Sequence, residues 1–139
     1  MFKKILVAFD GSEHARKAAA IAGEFANMME ADIWVVVAYD PLPSYLGKPN
    51  IQAAIDSRLD EAEAHMKDAI QDIGEISGSI IKEILEGPAS EAILNVAEVR
   101  EIELIIMGTR GLGSLKGLLI GSTGQKVLSH ALCPVLLAK

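Results

Sequence analysis

A chain of 139 residues, half of them apolar, can bury one sizeable core but not two, so residues 1–139 are expected to form a single domain. A formal net charge of −6 excludes a general binder of nucleic acid or anionic membrane, which needs Lys and Arg over a broad face, and leaves room for a local anion site only. The single cysteine, Cys133, excludes an internal disulfide and a cysteine-based structural zinc site, a usage that suits a reducing cytoplasm.

The chain opens with MFKKILVAFDGSEH, in which basic residues precede an apolar run as they do in a secretory leader. The run from Ile5 to Phe9 is only five residues long before Asp10 interrupts it, and no later run reaches membrane-spanning length, so a soluble cytoplasmic protein without membrane insertion is expected. KILVAF at 4–9 is the first predicted strand. An alanine-rich helix follows at 13–29, opened by DGS so that Ser12 can cap its free amides. DIWVVVAY at 32–39 is the second strand. In the next helix Ile51, Ile55, Leu59, Ala62, Met66, Ala69 and Ile73 recur at three- and four-residue steps, and Asn50 is the expected N-cap. SIIKEIL at 79–85 is the third strand, and ASEAILNVAEVRE at 89–101 is a helix with Pro88 just ahead of it. ELIIMG at 103–108 is the fourth strand. The last helix starts near Gly121 and Ser122 and runs to about His130, before CPVLLAK at 133–139 closes the chain as the fifth strand.

Short, continuous runs of Ile, Val and Leu are the mark of strands buried on both faces. Strand–helix–strand crossovers of this length build a parallel sheet with helices on both sides, so the expected fold is a doubly wound α/β domain. Ligands of such sheets bind beyond the carboxyl ends of the strands, where strand order reverses. The segments due there are FDGS, AYDPLPSYLGKPN, EGPAS and the glycine-rich stretch MGTRGLGSLKGLLIGS from Met107 to Ser122. The second of these holds three prolines, and its length fits either a plain connector or a lid.

The glycine-rich stretch lacks Gly-Lys-Ser/Thr, so it is not a Walker phosphate loop, and the first turn FDGSEHA lacks the dinucleotide fingerprint. It also lacks the G-x-S-x-G hydrolase elbow, although GSTG resembles one. What remains is Gly108, Gly111 and Gly121-Ser122, a G-x2-G-x9-G-S pattern. Amides at Gly121, Ser122 and Thr123, with two hydroxyls and a helix dipole, would suit a phosphate. A flexible surface connection is the bland alternative.

That spacing behind LIIMG, with the opening KILVAFDGSEHARKA, the GPASEAI turn and the closing CPVLLAK, resembles the universal stress protein family over the whole chain. The resemblance implies a Rossmann-like, five-stranded parallel sheet of the adenine nucleotide alpha hydrolase-like kind, and a homodimer through the last strands. In members that keep the glycine motif it also implies ATP or a related adenine nucleotide in the crevice. Carried over by position, it puts Asp10 near ribose and phosphates beside the backbone of Ala8 and Phe9, and the main chain of Ala38 at the adenine. Met107 and Gly108 line the floor, Arg110 and Gly111 flank ribose and phosphates, and Gly121, Ser122 and Thr123 hold the phosphates. Where nucleotide-binding members carry a small aliphatic followed by Ser or Thr, this chain has Thr123-Gly124 and loses a hydroxyl.

Each residue also has a plainer reading: Asp10 as a turn residue, Arg110 as a solvated side chain, Cys133 as a buried filler. His14, His65 and His130 fall on separate helices and form no metal set, which points to surface or packing roles. No nucleophile, base and orienter appear together, so no catalytic residue is assigned. The expected function is an adenine-nucleotide-binding stress-response module in which ATP, ADP or AMP signals through conformation or oligomerisation, with hydrolysis slow or absent. Asp10 could help hold a divalent cation such as Mg²⁺ against the phosphates. Two alternatives stay open: a slow ATPase or related nucleotide-processing enzyme, and a dimeric interaction module that binds no nucleotide.

Overall fold

Strands and helices alternate strictly along the chain: β1 Lys4–Ala8, α1 Glu13–Met29, β2 Asp32–Tyr39, α2 Lys48–Ile73, β3 Ile80–Glu86, α3 Ala89–Val99, β4 Leu104–Gly108, α4 Ser122–His130 and β5 Val135–Ala138. This computed structural model describes residues 2–42, 47–110 and 120–139. The five strands form one sheet in the order β3-β2-β1-β4-β5, and every pairing in it is parallel. The doubly wound α/β expectation therefore holds. The central strand is β1, whose residues Ile5 to Val7 lie between β2 and β4.

Continuous apolar strands make sense here because each face of the sheet is covered. Ile5, Val7 and Phe9 of the first strand segment, with Val35, Val37, Leu104 and Ile106, pack against α1 and α2. The alternating set Leu6, Ala8, Val36, Ile105 and Met107 packs against α3 and α4. Ile5, Leu6, Ile33, Ile105 and Ile106 are fully buried, and each such side chain contributes about 1.5–3 kcal/mol on transfer from water. Helix α1 meets the sheet through Ala15, Ala18, Ala19, Ala22 and Ala26, a stripe of small residues that lets the helix lie close. It ends at Glu30, whose left-handed backbone donates its amide to Ala26.

Helix α2 starts earlier than expected. Its N-cap is Gly47 rather than Asn50, and Ile51 already donates to the Gly47 carbonyl at 2.8 Å. Pro49 does not block this start, because the first turn of a helix has no intrahelical acceptor for the amide that proline lacks. Arg58 on α2 reaches back to the carbonyls of Asp40 and Pro41, tying the segment after β2 to the helix. The rest of that connector, 43–46, lies outside the described residues, so the lid reading stays with the sequence. Arg16 and Asp72 bind α1 to the end of α2 by a two-pronged ion pair at 3.0 and 3.3 Å. Among the described residues no helix is long and apolar enough to cross a membrane.

Candidate functional site

The sheet order places a switch point between β1 and β4: the chain builds outward from β1 to β2 and β3, then returns to the other side. The carboxyl ends of these two strands are where helices α1 and α4 begin. Phe9 continues β1 by donating its amide to Val36 at 3.0 Å, and its ring is buried on the α1–α2 face, edge-on to His65 at 6.5 Å. Only the backbone of Phe9 can therefore face the crevice. Ala8 and Met107 are buried on the opposite face, in one cluster with Ala38 at its margin.

Asp10 shapes the turn that follows. Its Oδ1 accepts the Ser12 amide at 3.0 Å, a side-chain turn that bends the chain toward α1. Gly11 sits at φ +85, in the left-handed region, and the place a Cβ would take there is filled by the His65 ring. Ser12 is buried and caps α1 as expected, its hydroxyl accepting the Ala15 amide at 3.2 Å.

From β4 the chain runs through Gly108, Thr109 and Arg110. Gly108 has a reason inside the protein: a Cβ there would lie 2.6 Å from the His14 Cβ and 2.8 Å from the His14 carbonyl carbon, so α1 presses on the strand end. Thr109 donates its amide to Ala138 of β5 at 2.8 Å and accepts the Gly121 amide at 2.6 Å. Its hydroxyl lies 3.3 Å from His14 Nδ1. The Arg110 carbonyl lies 3.5 Å from the Ser12 hydroxyl, and its guanidinium Nη2 lies 3.5 Å from His14 Nε2.

Helix α4 begins beside this junction, with Gly121 as its N-cap and no side-chain cap. The first intrahelical bond here is donated by Gln125 to Gly121. Helix geometry leaves the amides of Ser122, Thr123 and Gly124 without an acceptor in the helix, whereas the Gly121 amide, expected at the phosphate, is spent on Thr109. α1 and α3 each carry a glutamate in the first turn, Glu13 and Glu91; α4 carries no acid there. A negative group placed at this helix start would meet no carboxylate from α4 itself.

The strand ends and helix starts thus bring Ala8, Phe9, Asp10, Met107, Gly108, Arg110, Gly121, Ser122 and Thr123 to the two sides of the switch point, with Ala38 one strand away on β2. Gly111 lies outside the described residues, as do Gly113 and Gly117. Sequence reasoning missed His14 and His65, which meet the β4 and β1 ends from α1 and α2. For His14 the one signal available was its place two residues after a helix cap; for His65 there was none. Cys133 is half-buried at the approach to β5, and burial pushes its thiol pKa up. A separate open groove lies on the flank between α2 and edge strand β3, lined by Met66, Ile70, Ile84, Glu63, Lys67 and Lys82, away from the strand ends.

Residues 1–139 match the universal stress protein family. A universal stress protein of Thermus aquaticus is 45% identical over 139 residues, covering all of both chains. One from Methanocaldococcus jannaschii is 30% identical over 142 residues, covering 100% of this chain and 83% of its own. Among solved structures, UspA of Lactobacillus plantarum superposes with a TM-score of 0.82 at 29% identity, covering 99% of this chain and 98% of its own. Two structures show the same fold at lower identity: a universal stress protein in complex with cAMP (22%, TM-score 0.66) and one from Archaeoglobus fulgidus in complex with dAMP (20%, TM-score 0.73). Each is covered nearly whole, as is this chain: 99 and 97% in the first pair, 100 and 98% in the second.

Proposed function

Because the chain belongs to the universal stress protein family, we propose that it binds an adenine nucleotide across the switch point between β1 and β4 and uses it as a regulatory signal. One observation carries this reading: α4 starts at the switch point with no acid in its first turn and no side-chain cap, and Gly121 is fastened to the end of β4. A helix start of that kind offers amides and a positive dipole end to phosphate oxygens. Ser122 and Thr123 add hydroxyls, and Arg110 adds a cation held near the strand end. In the same reading the backbones of Ala8, Phe9 and Ala38 face ribose and adenine, Met107 and Gly108 form the floor, and Gly111 completes the motif. Asp10 is the residue that would share a Mg²⁺ with the phosphates, a hard cation suited to carboxylate oxygen. That two proteins of this fold hold cAMP and dAMP puts the ligand class within the fold's range.

Between Gly108 and Ser122 the sequence has no carboxylate and no glutamine to activate water, which favours binding over turnover. The same reading includes one domain over residues 1–139 and a homodimer through β5. That strand is a short sheet edge of half-buried Val135, Leu136 and Leu137, next to Leu132, which is 97% exposed. Light scattering at micromolar concentration should give a dimer, and a monomer would contradict it.

Calorimetry with ATP, ADP and AMP, with and without magnesium, tests the nucleotide reading. Gly121→Val should abolish binding while the protein stays folded, since Gly121 has φ −79 and ψ 172, a conformation open to any residue. No heat with any of the three, and no nucleotide carried through purification by mass spectrometry, would leave the interaction-module reading in its place. Steady phosphate release that disappears in Asp10→Ala would replace binding by catalysis.

A further inference from the structure

His14 belongs to α1, whose first turn is already capped by Ser12, yet its ring is taken up by the segment that leaves β4. Its Nε2 lies 3.5 Å from Arg110 Nη2, and its Nδ1 lies 3.3 Å from Thr109 Oγ1. A guanidinium has donors only, so Nε2 must be the acceptor and carry no proton. The ring proton is then on Nδ1, donated to the Thr109 hydroxyl oxygen. This network fixes the neutral ring in one of its two tautomers.

The close approach of α1 is what brings the ring to this segment, because the bare α-carbon of Gly108 leaves just enough room for the His14 backbone and Cβ. Arg110 is gripped at both ends by one turn of α1: the Ser12 hydroxyl donates to its carbonyl at 3.5 Å, and His14 accepts from its guanidinium. A long arginine side chain loses rotamer freedom when it clamps an anion, and a side chain already held loses less.

We propose that His14 is a positioning residue of the anion site: in its neutral Nδ1–H form it holds Arg110 ready for the phosphate end of the ligand without touching the ligand itself. This rests on the nucleotide reading above and deepens it. His14 then matters for ligands in proportion to their phosphate, which a merely structural residue would not. His14→Gln puts an amide oxygen where Nε2 was and so retains the acceptor, whereas His14→Leu removes it.

The test is calorimetry of ATP and of adenosine on wild type, His14→Leu, His14→Gln, Arg110→Ala and the His14→Leu/Arg110→Ala pair, beside ring-nitrogen NMR of the ligand-free wild type at a pH where free imidazole is neutral. His14→Leu should weaken ATP about tenfold, the scale of a lost hydrogen bond to a charged group, and leave adenosine unchanged. His14→Gln should restore ATP binding, the pair should bind ATP no more weakly than Arg110→Ala alone, and the NMR should show the proton on Nδ1. ATP affinity unchanged in His14→Leu, an equal loss for adenosine, or a proton on Nε2 overturns the proposal. A wild type that binds neither ligand overturns the nucleotide reading instead, and the nitrogen spectrum still decides the His14 geometry by itself.

Discussion

Changing Gly108 to alanine adds a single methyl group where α1 presses on the end of β4. It would sit 2.6 Å from the His14 Cβ, 2.8 Å from the His14 carbonyl carbon and 3.0 Å from the Ala15 amide nitrogen. Carbon atoms rest at about 3.5–4.0 Å, so the overlap approaches an ångström, and two of the three neighbours are backbone that no rotamer change can move. Either α1 or the strand end must shift, and overpacking of that kind costs about 1–3 kcal/mol. For a chain of this length that is a fall in Tm of about 3–12 °C. Gly124→Ala is the matched control. Its new methyl meets the Ile120 side chain at 3.2 and 3.5 Å, which can turn away, and the Thr109 carbonyl oxygen at 3.6 Å, an ordinary contact. Alanine also favours a helix over glycine by up to about 1 kcal/mol, so this variant should melt at or slightly above wild type. Thermal unfolding followed by circular dichroism on the three proteins decides it. Equal melting of Gly108→Ala and wild type, or an equal loss in both variants, would refute the argument from close approach.

Two further expectations concern positions beside the crevice and at the far strand. Ser12→Ala removes the acceptor for the Ala15 amide and the hydroxyl near the Arg110 carbonyl, and should lower unfolding free energy in urea by about 1 kcal/mol; an unchanged midpoint would deny the cap its role. Burial raises the Cys133 pKa, so iodoacetamide should alkylate the native protein more slowly than the urea-unfolded one at the same mildly alkaline pH. The sign for stability follows from the raised value. Whatever Cys133 contributes is full below the unfolded thiol's pKa and is lost as pH rises through the higher folded one, a decline that Cys133→Ala should not show.

Much of this fold was written in the spacing of apolar residues. The alanine helix expected at 13–29 is Glu13–Met29, and the second strand at 32–39 is Asp32–Tyr39, because a cap and a continuous buried run each mark their own ends. Ends without such marks moved. The third helix stops at Val99 rather than 101, since Glu101 turns left-handed at φ 54, and the last strand shrinks from 133–139 to Val135–Ala138. The site was legible as a place, because strand ends and helix starts follow from the topology. The contacts inside it were not: that His14 would find Thr109 and Arg110, some 95 positions away in the chain, depends on how closely α1 lies against β4. The motif marks glycine at 108 in the sequence, and the structure adds that α1 fills the space a side chain would take there.

The order of strands in the sheet has a consequence for a chain still being made. One side of the switch point, at Phe9 to Ser12, is among the first pieces to leave the ribosome, while the other side, Gly108 to Arg110 with Gly121 to Thr123, comes from the last third of the message. Strands β1, β2 and β3 can pair while β4 is still unwritten, so a half-built sheet has an open edge at β1 where β4 belongs. A truncated product ending before α4 would keep much of the core on the α1–α2 face and lack the helix start. Any molecule that bridges both sides therefore recognises only finished copies, and by mass action it adds its binding energy to those copies alone.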